Sequence, residues 1–289
     1  MKVGDILLND ELRIYRGEDF TVSDNIHLHQ PTLNEICNYG ESEYYSMIYQ
    51  LTATPQSMKA QLWDIGIDYT TITPYELFYS ILYKLYPQEK TSIIFGDLDF
   101  KKFQIVQQKD TREICLYQCI EKNEDDYNNM SKNSIFSKII TKIKCALGIS
   151  INKKTITRYD EVIIDKNTYE LIMDYLRQVH GIQKDEKIPA NNTTKMILIE
   201  DALEELERSK NKEYHSQLVN LISSMINSEG FKYSHSQVWD MKINAFMDSV
   251  KRISKIRNAE LLLQSGYSGF GINLKEIDKK QLDWLGELE

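Results

Sequence analysis

Two C-terminal stretches carry apolar residues at helical spacing. Between Val238 and Leu263 they fall at Trp239, Ile243, Phe246, Val250, Ile253 and Ile256, one stripe of a helix, while Lys242, Lys251, Arg252, Lys255 and Arg257 mostly project elsewhere. Such a helix is about 39 Å long at about 1.5 Å per residue. The preceding run of Leu218, Leu221, Ile222, Met225 and Ile226 has the same period and stops at Gly230. An antiparallel helix pair joined across Gly230–Ser236 is therefore expected, with the rest of the chain organised around it.

Upstream the pattern changes several times. Over residues 1–30 short strands are expected, with a turn at Gly17-Glu18-Asp19 and Ile26 and Leu28 alternating with His27 and His29. Helix punctuation follows. Thr32 and Glu35 have capping-box spacing and Gly40 closes that helix; Ser42 is a candidate cap for a helix to Leu51. Thr54-Pro55 opens a helix ended by Gly66, and Thr73-Pro74 opens another that ends near Pro87. In the last of these Tyr75, Tyr79, Tyr83 and Tyr86 recur every three or four residues among Leu77, Phe78, Ile81, Leu82 and Leu85. A helix apolar or aromatic over most of its circumference is either core or an interface.

Strand composition returns at Ile93–Phe95, Phe100–Gln108, Glu113–Ile120 and Glu161–Ile164, with a hairpin turn at residues 109–112. Cys115 and Cys119 share a strand face and read as core thiols. A helix from about Thr168 to His180 ends at Gly181. After a polar linker, Thr193 or Thr194 caps a helix to about Lys210, and the tail turns through residues 266–271 to a short helix, Lys275–Leu285, anchored by Trp284. The expected fold is thus α+β and mainly α, in three regions. Residues 1–92 are short strands and then helices. Residues 93–181 hold a small antiparallel sheet and a helix with a basic insert, 122–157, and residues 182–289 form a C-terminal helical bundle.

Composition narrows the function. The net charge of -8 argues against nonspecific nucleic-acid binding by the whole surface, and four cysteines without a CxxC pair indicate reduced thiols in a cytoplasmic setting. No signal peptide and no apolar run of membrane-spanning length is read. Eighteen tyrosines are many for this length, and tyrosine is favoured where a partner covers a surface. The exception in charge lies between Tyr127 and Tyr159, where Ile135, Ile139, Ile143 and Leu147 share a helix face and Lys138, Lys142, Lys144, Lys153, Lys154 and Arg158 occur without an acid. It suits an inserted helix docked on the sheet, a membrane surface or a polyanion.

Candidate chemistry is thin. His27 and His29 lack a third ligand nearby, so they read as solvent-facing rather than as a zinc site. The Gly266–Gly271 turn follows a helix, which fits a helix cap and not a dinucleotide fingerprint. Asp97 and Asp99 read as a turn. No nucleophile, paired-carboxylate or metal motif with supporting context appears, so neither catalysis nor a cofactor or metal is expected.

Two stretches carry a family resemblance. QPTLNEICNYGESEYYSMIYQLTATPQSMKAQLWDIGIDYTTITPYELF, residues 30–78, and the stretch SQLVNLISSMINSEGFKYSHSQVWDMKINAFMDSVKRIS, continuing to residue 285, together resemble proteins of the tail-morphogenesis region of tailed phages and prophages of Gram-positive bacteria. The resemblance lies in overall pattern. It implies a tail assembly chaperone or structural protein, with other phage tail proteins as partners, in the cytoplasm of the bacterial host or associated with the virion. The interface residues expected on this reading are Tyr75, Tyr79, Tyr83, Tyr86 and Trp239. Two alternatives stand beside it: a nucleic-acid-binding module using residues 132–158, and an enzyme whose site is assembled from distant residues.

Overall fold

A computed structural model describes residues 11–108, 112–122, 158–210, 212–268, 271, 273, 276–286 and 288. The chain is α+β and mainly helical, with two small antiparallel sheets among the described residues. A hairpin of β1 (Phe20–Ser23) and β2 (Ile26–Leu28) leads into α1 (Leu33–Tyr39), α2 (Glu41–Leu51) and α3 (Lys59–Asp64). Helix α4 (Pro74–Leu77) continues as a π-turn over Phe78–Leu82, and α5 (Gln88–Phe95) follows. The second sheet has the order β3 (Gln104–Gln107), β4 (Ile114–Lys122), β5 (Arg158–Ile164), all antiparallel. Then come α6 (Lys166–His180), α7 (Asn192–Lys210), α8 (Gln217–Ile226), α9 (Ile243–Tyr267) and a single turn, α10 (Lys279–Leu282).

The centre of the molecule is α6, not the C-terminal pair. Asp165 caps its first turn by accepting from Thr168 N at 2.8 Å, and Gly181, left-handed at φ 63°, ends it. Between these caps Tyr169, Leu171, Ile172, Met173, Tyr175, Leu176 and Val179 are all buried, covering far more than one stripe of the helix. It touches β1, β5, α4 and α9. Tyr175 stacks on Phe20 at 4.8 Å, and Tyr169 lies 4.9 Å from Phe78 and 5.3 Å from Tyr75. One continuous core runs from Ile14 to Phe246.

Both capping boxes form. Glu35 N donates to Thr32 Oγ1 at 3.2 Å while Thr32 N donates to Glu35 Oε2 at 2.7 Å, and Thr73 and Glu76 repeat the same distances. The carboxyl of Glu35 is opposed by partial burial, yet the Thr32 hydrogen bonds and the charges of His29 and Lys242 hold it below its ordinary range.

Several elements differ from expectation. Ile93–Phe95 closes a helix: Pro87 sets its start, Thr91, Ile94 and Phe95 bury one face, and Gly96 stops it at φ 57°. The cap of α2 is Gly40, with Ser42 already in the first turn. The Thr54–Gly66 segment is helical only over Lys59–Asp64, because Thr54 and Ser57 exchange hydrogen bonds in a preceding turn. Asn191, rather than Thr193 or Thr194, caps α7, accepting from Thr194 N at 2.8 Å. Cys115 is buried, but Cys119 is exposed towards the free end of the sheet.

The helix over Val238–Leu263 is also interrupted. Val238–Asp240 is a 3-10 turn, and α9 begins only at Ile243 because residues 241–243 run beside residues 31–33. Leu33 N donates to Met241 O and Ile243 N to Pro31 O, both at 3.0 Å. Nor do α8 and α9 form the expected close pair. The main neighbours of α9 are α6 and α10, and α8 is instead anchored to α2 through Glu41. Trp284 is 47% exposed, and Arg252 helps to hold the returning tail by donating to the carbonyls of Trp284 and Gly286 at 2.7 and 2.8 Å.

Candidate protein-binding surface

Helix α2 sends Tyr44, Met47, Ile48 and Leu51 into the core, which fixes what its other faces can do. Its outermost ridge is Ser42 and Ser46, both exposed and short. On one flank stand Tyr45, half-buried, and Tyr49, 55% exposed, one turn apart with ring centroids at 6.2 Å. Tyr214, 53% exposed, joins them from the segment before α8, and its hydroxyl is hydrogen-bonded to Glu41. The opposite flank holds Gln50, which accepts from the Tyr86 hydroxyl at 2.8 Å, and Glu43, which pairs with Lys90. The Lys90 ammonium in turn lies 5.2 Å from the centre of the Tyr39 ring. The surface is a low serine ridge between two aromatic rims.

Glu41 organises one rim. Its carboxylate accepts from Gln217 N at 3.0 Å, Leu218 N at 2.9 Å and the Ser216 hydroxyl, so it caps α8 from the first turn of α2. Burial opposes its charge, but the Ser216, Leu218, Tyr214 and Gln217 hydrogen bonds prevail and lower its pKa. Desolvation and the Glu41 carboxylate push the Tyr214 hydroxyl up to about 12, and burial likewise raises Tyr45. Both rings are therefore neutral donors at physiological pH. A neutral phenol with an exposed ring and a tethered hydroxyl offers apolar area with little rotamer entropy left to lose on binding.

The residues expected at an interface are dispersed. Tyr75 is buried and its hydroxyl donates to the carbonyls of Ile114 and Ile164 at 3.0 and 2.9 Å, closing the end of the β4–β5 ladder. Tyr83 is buried too. Tyr79 is half-buried with its ring 5.2 Å from that of Tyr75, and Tyr86 is half-buried on the far rim described above. The π-turn widens the spacing after Leu77, so the four rings do not form one stripe. Trp239 is half-buried, 6.2 Å from the His235 ring and remote in sequence from α2. Lys138, Lys142, Lys144, Lys153 and Lys154 lie outside the described residues, as does the amphipathic segment around them. Arg158 opens β5, its backbone paired with Lys122.

The histidines are engaged locally. His27 contacts Thr21 Oγ1 at 3.1 Å and Asp24 O at 3.2 Å, while His29 sits between Asp19 at 2.8 Å and Glu35 at 3.3 Å. Among the described residues no group of three or more His, Cys, Asp or Glu is placed to hold a metal ion. No helix among them is long and apolar enough to cross a membrane.

Comparison with known proteins bears on the C-terminal part. Residues 209–289 match the family model described as YomV second domain. No curated protein matches the chain, and no solved structure does. The matched segment begins just before Tyr214 and includes α8, α9 and α10. It overlaps the second stretch read as phage-like in the sequence; residues 30–78 lie outside the match.

Tyr45, Tyr49 and Tyr214 are the residues that sequence reading passed over. The signal for the first two was present in ESEYYSMIYQL, where aromatic residues one turn apart flank serines at positions 42 and 46. Nothing local marks Tyr214, because its place beside α2 depends on a contact across more than 170 residues of chain.

Proposed function

We propose that this chain is a non-enzymatic protein of a phage or prophage that works by binding another protein of the assembly through the tyrosine-rimmed surface of α2. The observation that carries the reading is the Tyr49–Tyr214 rim: two half-exposed rings from segments far apart in sequence, Tyr49 beside Tyr45 on α2 and Tyr214 beside the Glu41 carboxylate. Exposed aromatic rings held in place are typical anchors of interfaces, whereas a helix face meant only for solvent is better served by flexible charged residues. The match of residues 209–289 to YomV second domain supports the phage setting, and the same segment supplies Tyr214. A tail-assembly role is the finer form of the same proposal and rests on the sequence resemblance.

The test is replacement of Tyr49 and Tyr214 by alanine, singly and together, with capture of purified phage tail proteins. An anchoring aromatic is worth about 2 kcal/mol, or roughly thirtyfold in affinity. The rings are half-exposed, so the melting temperature should barely move. Undiminished capture by the double variant would overturn the assignment of this surface.

A further inference from the structure

The second sheet ends at an unusually open edge. All four residues of β3, Gln104, Ile105, Val106 and Gln107, are exposed, with Ile105 at 52% and Val106 at 40%. Edge strands of soluble proteins are normally guarded by charge, proline, a bulge or a cover. Here the strand has no charged residue and no proline, and its pairing to β4 is regular throughout. Among the described residues no strand lies beyond it.

The register shows which backbone groups face outwards. Gln108 N donates to Glu113 O at 2.9 Å, and these two residues are opposite each other in the continued register. Hydrogen-bonded and non-hydrogen-bonded pairs alternate along an antiparallel ladder, so Val106 with Cys115 and Gln104 with Tyr117 are the bonded pairs. The N–H and C=O groups of Ile105 and Gln107 consequently point away from β4.

We infer that this edge pairs with the same edge of a second copy of this chain, joining two three-stranded sheets into one of six. A two-fold axis through Val106 sets Ile105 opposite Gln107 of the other copy and Gln107 opposite its Ile105, which are the two residues with outward backbone groups. Four backbone hydrogen bonds form, and Val106 meets its own equivalent in the closer, non-bonded type of pair. The parity keeps the core-facing side of both sheets on one side, because residue 105 pairs with residue 107 and both are odd. The strand matches itself as the occupant: it is uncharged and glutamine-flanked in both directions, so self-pairing opposes no like charges within it and leaves no buried charge unpaired. Pairing of four residues buries less than the roughly 1,200 Å² of a stable interface, so the association is weak and concentration-dependent. This inference is independent of the tyrosine rim.

Two variants of the full chain test it by sedimentation over a wide concentration range. Ile105→Pro removes an outward N–H and leaves the β4 ladder intact, so it should keep the fold by circular dichroism and weaken dimerisation by roughly tenfold or more. Val106→Cys, with Cys37, Cys119 and Cys145 changed to serine and Cys115, its cross-strand neighbour, changed to alanine, should form a disulfide-linked dimer on mild oxidation, while Gln104→Cys in the same background should not. A chain that stays monomeric at millimolar concentration overturns the inference, as does a dimer indifferent to Ile105→Pro. Cross-linking at residue 104 but not at 106 would refute the two-fold register.

Discussion

Stability should fall steeply between pH 6.5 and pH 4 because of one histidine. His180 closes the last turn of α6 and is buried. Its Nδ1 lies 2.7 Å from the Leu176 carbonyl, which can only accept, so Nδ1 carries the proton and Nε2 accepts from the Tyr44 hydroxyl at 2.6 Å. Both ring nitrogens are thus satisfied in the neutral form. Burial lowers the pKa from 6.5 to about 4, outweighing the Leu176 hydrogen bond that favours the charged form. Protonation would also face the Tyr44 hydroxyl with a ring that no longer accepts.

The sign follows from linkage. Below pH 6.5 the unfolded chain takes up a proton at this ring and the folded chain does not, so the unfolded state gains. The loss is nil above pH 7, about 2 kcal/mol at pH 5 and about 3 kcal/mol once pH has passed below 4, at about 1.4 kcal/mol per unit of pKa difference. Urea titrations at pH 7, 6, 5 and 4.5 on the natural chain and on His180→Gln measure it. The variant will be less stable at pH 7, but its stability should fall less over this range, and the difference between the two curves should narrow by about 2 kcal/mol by pH 5. Parallel curves would refute the reasoning, for they would mean that the ring titrates alike in both states.

Three further outcomes are expected. Glu41→Ala removes the acceptor for two backbone N–H groups and a hydroxyl at the start of α8, and should cost about 2 kcal/mol in urea unfolding, with Glu41→Gln retaining part of it. Because Lys122 and Arg158 are opposite each other across the β4–β5 ladder, replacing residues 123–157 by Asn-Gly should leave a cooperative melt close to that of the intact chain; a molten product would refute this. The segment 209–289 produced alone should lack a cooperative melt, since Val238, Ile243 and Phe246 are fully buried against the rest of the chain and the backbone of residues 241–243 bonds to residues 31–33.

Elements with a local chemical signature were legible in the sequence. The Thr32 and Thr73 capping boxes, the Gly181 stop and the β3–β4 hairpin all follow from residues within a few positions of one another. What failed was ranking. The C-terminal stripe through Ile243, Phe246 and Val250 is as periodic as any in the chain, yet only its first two residues are fully buried, while α6 carries the centre. Periodicity reports that a helix has an apolar face, not how many neighbours enclose it. The reading of Ile93–Phe95 as a strand failed for a related reason. Three apolar residues have no period, and Pro87 and Gly96 decided the matter from outside the triplet. The proposed surface was half legible: Tyr45 and Tyr49 are visible in the pattern of α2, whereas Tyr214 arrives by tertiary contact.

The tyrosines themselves show why residue counts could not locate a surface. The partner of each hydroxyl separates them into two kinds. Tyr75 bonds to two strand carbonyls and Tyr44 to His180, groups that are internal and fixed, so these rings fill the core and their hydroxyls close gaps in its polar bonding. Tyr15 donates to Asp248 at 3.2 Å and Tyr214 to Glu41; these acceptors are carboxylates at the boundary, and the rings they hold are 54% and 53% exposed. A carboxylate tether costs little at the surface and fixes a ring that water alone would leave free. Fixing an exposed apolar ring brings no gain in folding comparable to burying it, so its natural use is contact with something outside the chain. On this criterion the rim around Glu41 differs from Tyr75, whose ring is fixed inside the core although it belongs to the more periodic aromatic run in the sequence.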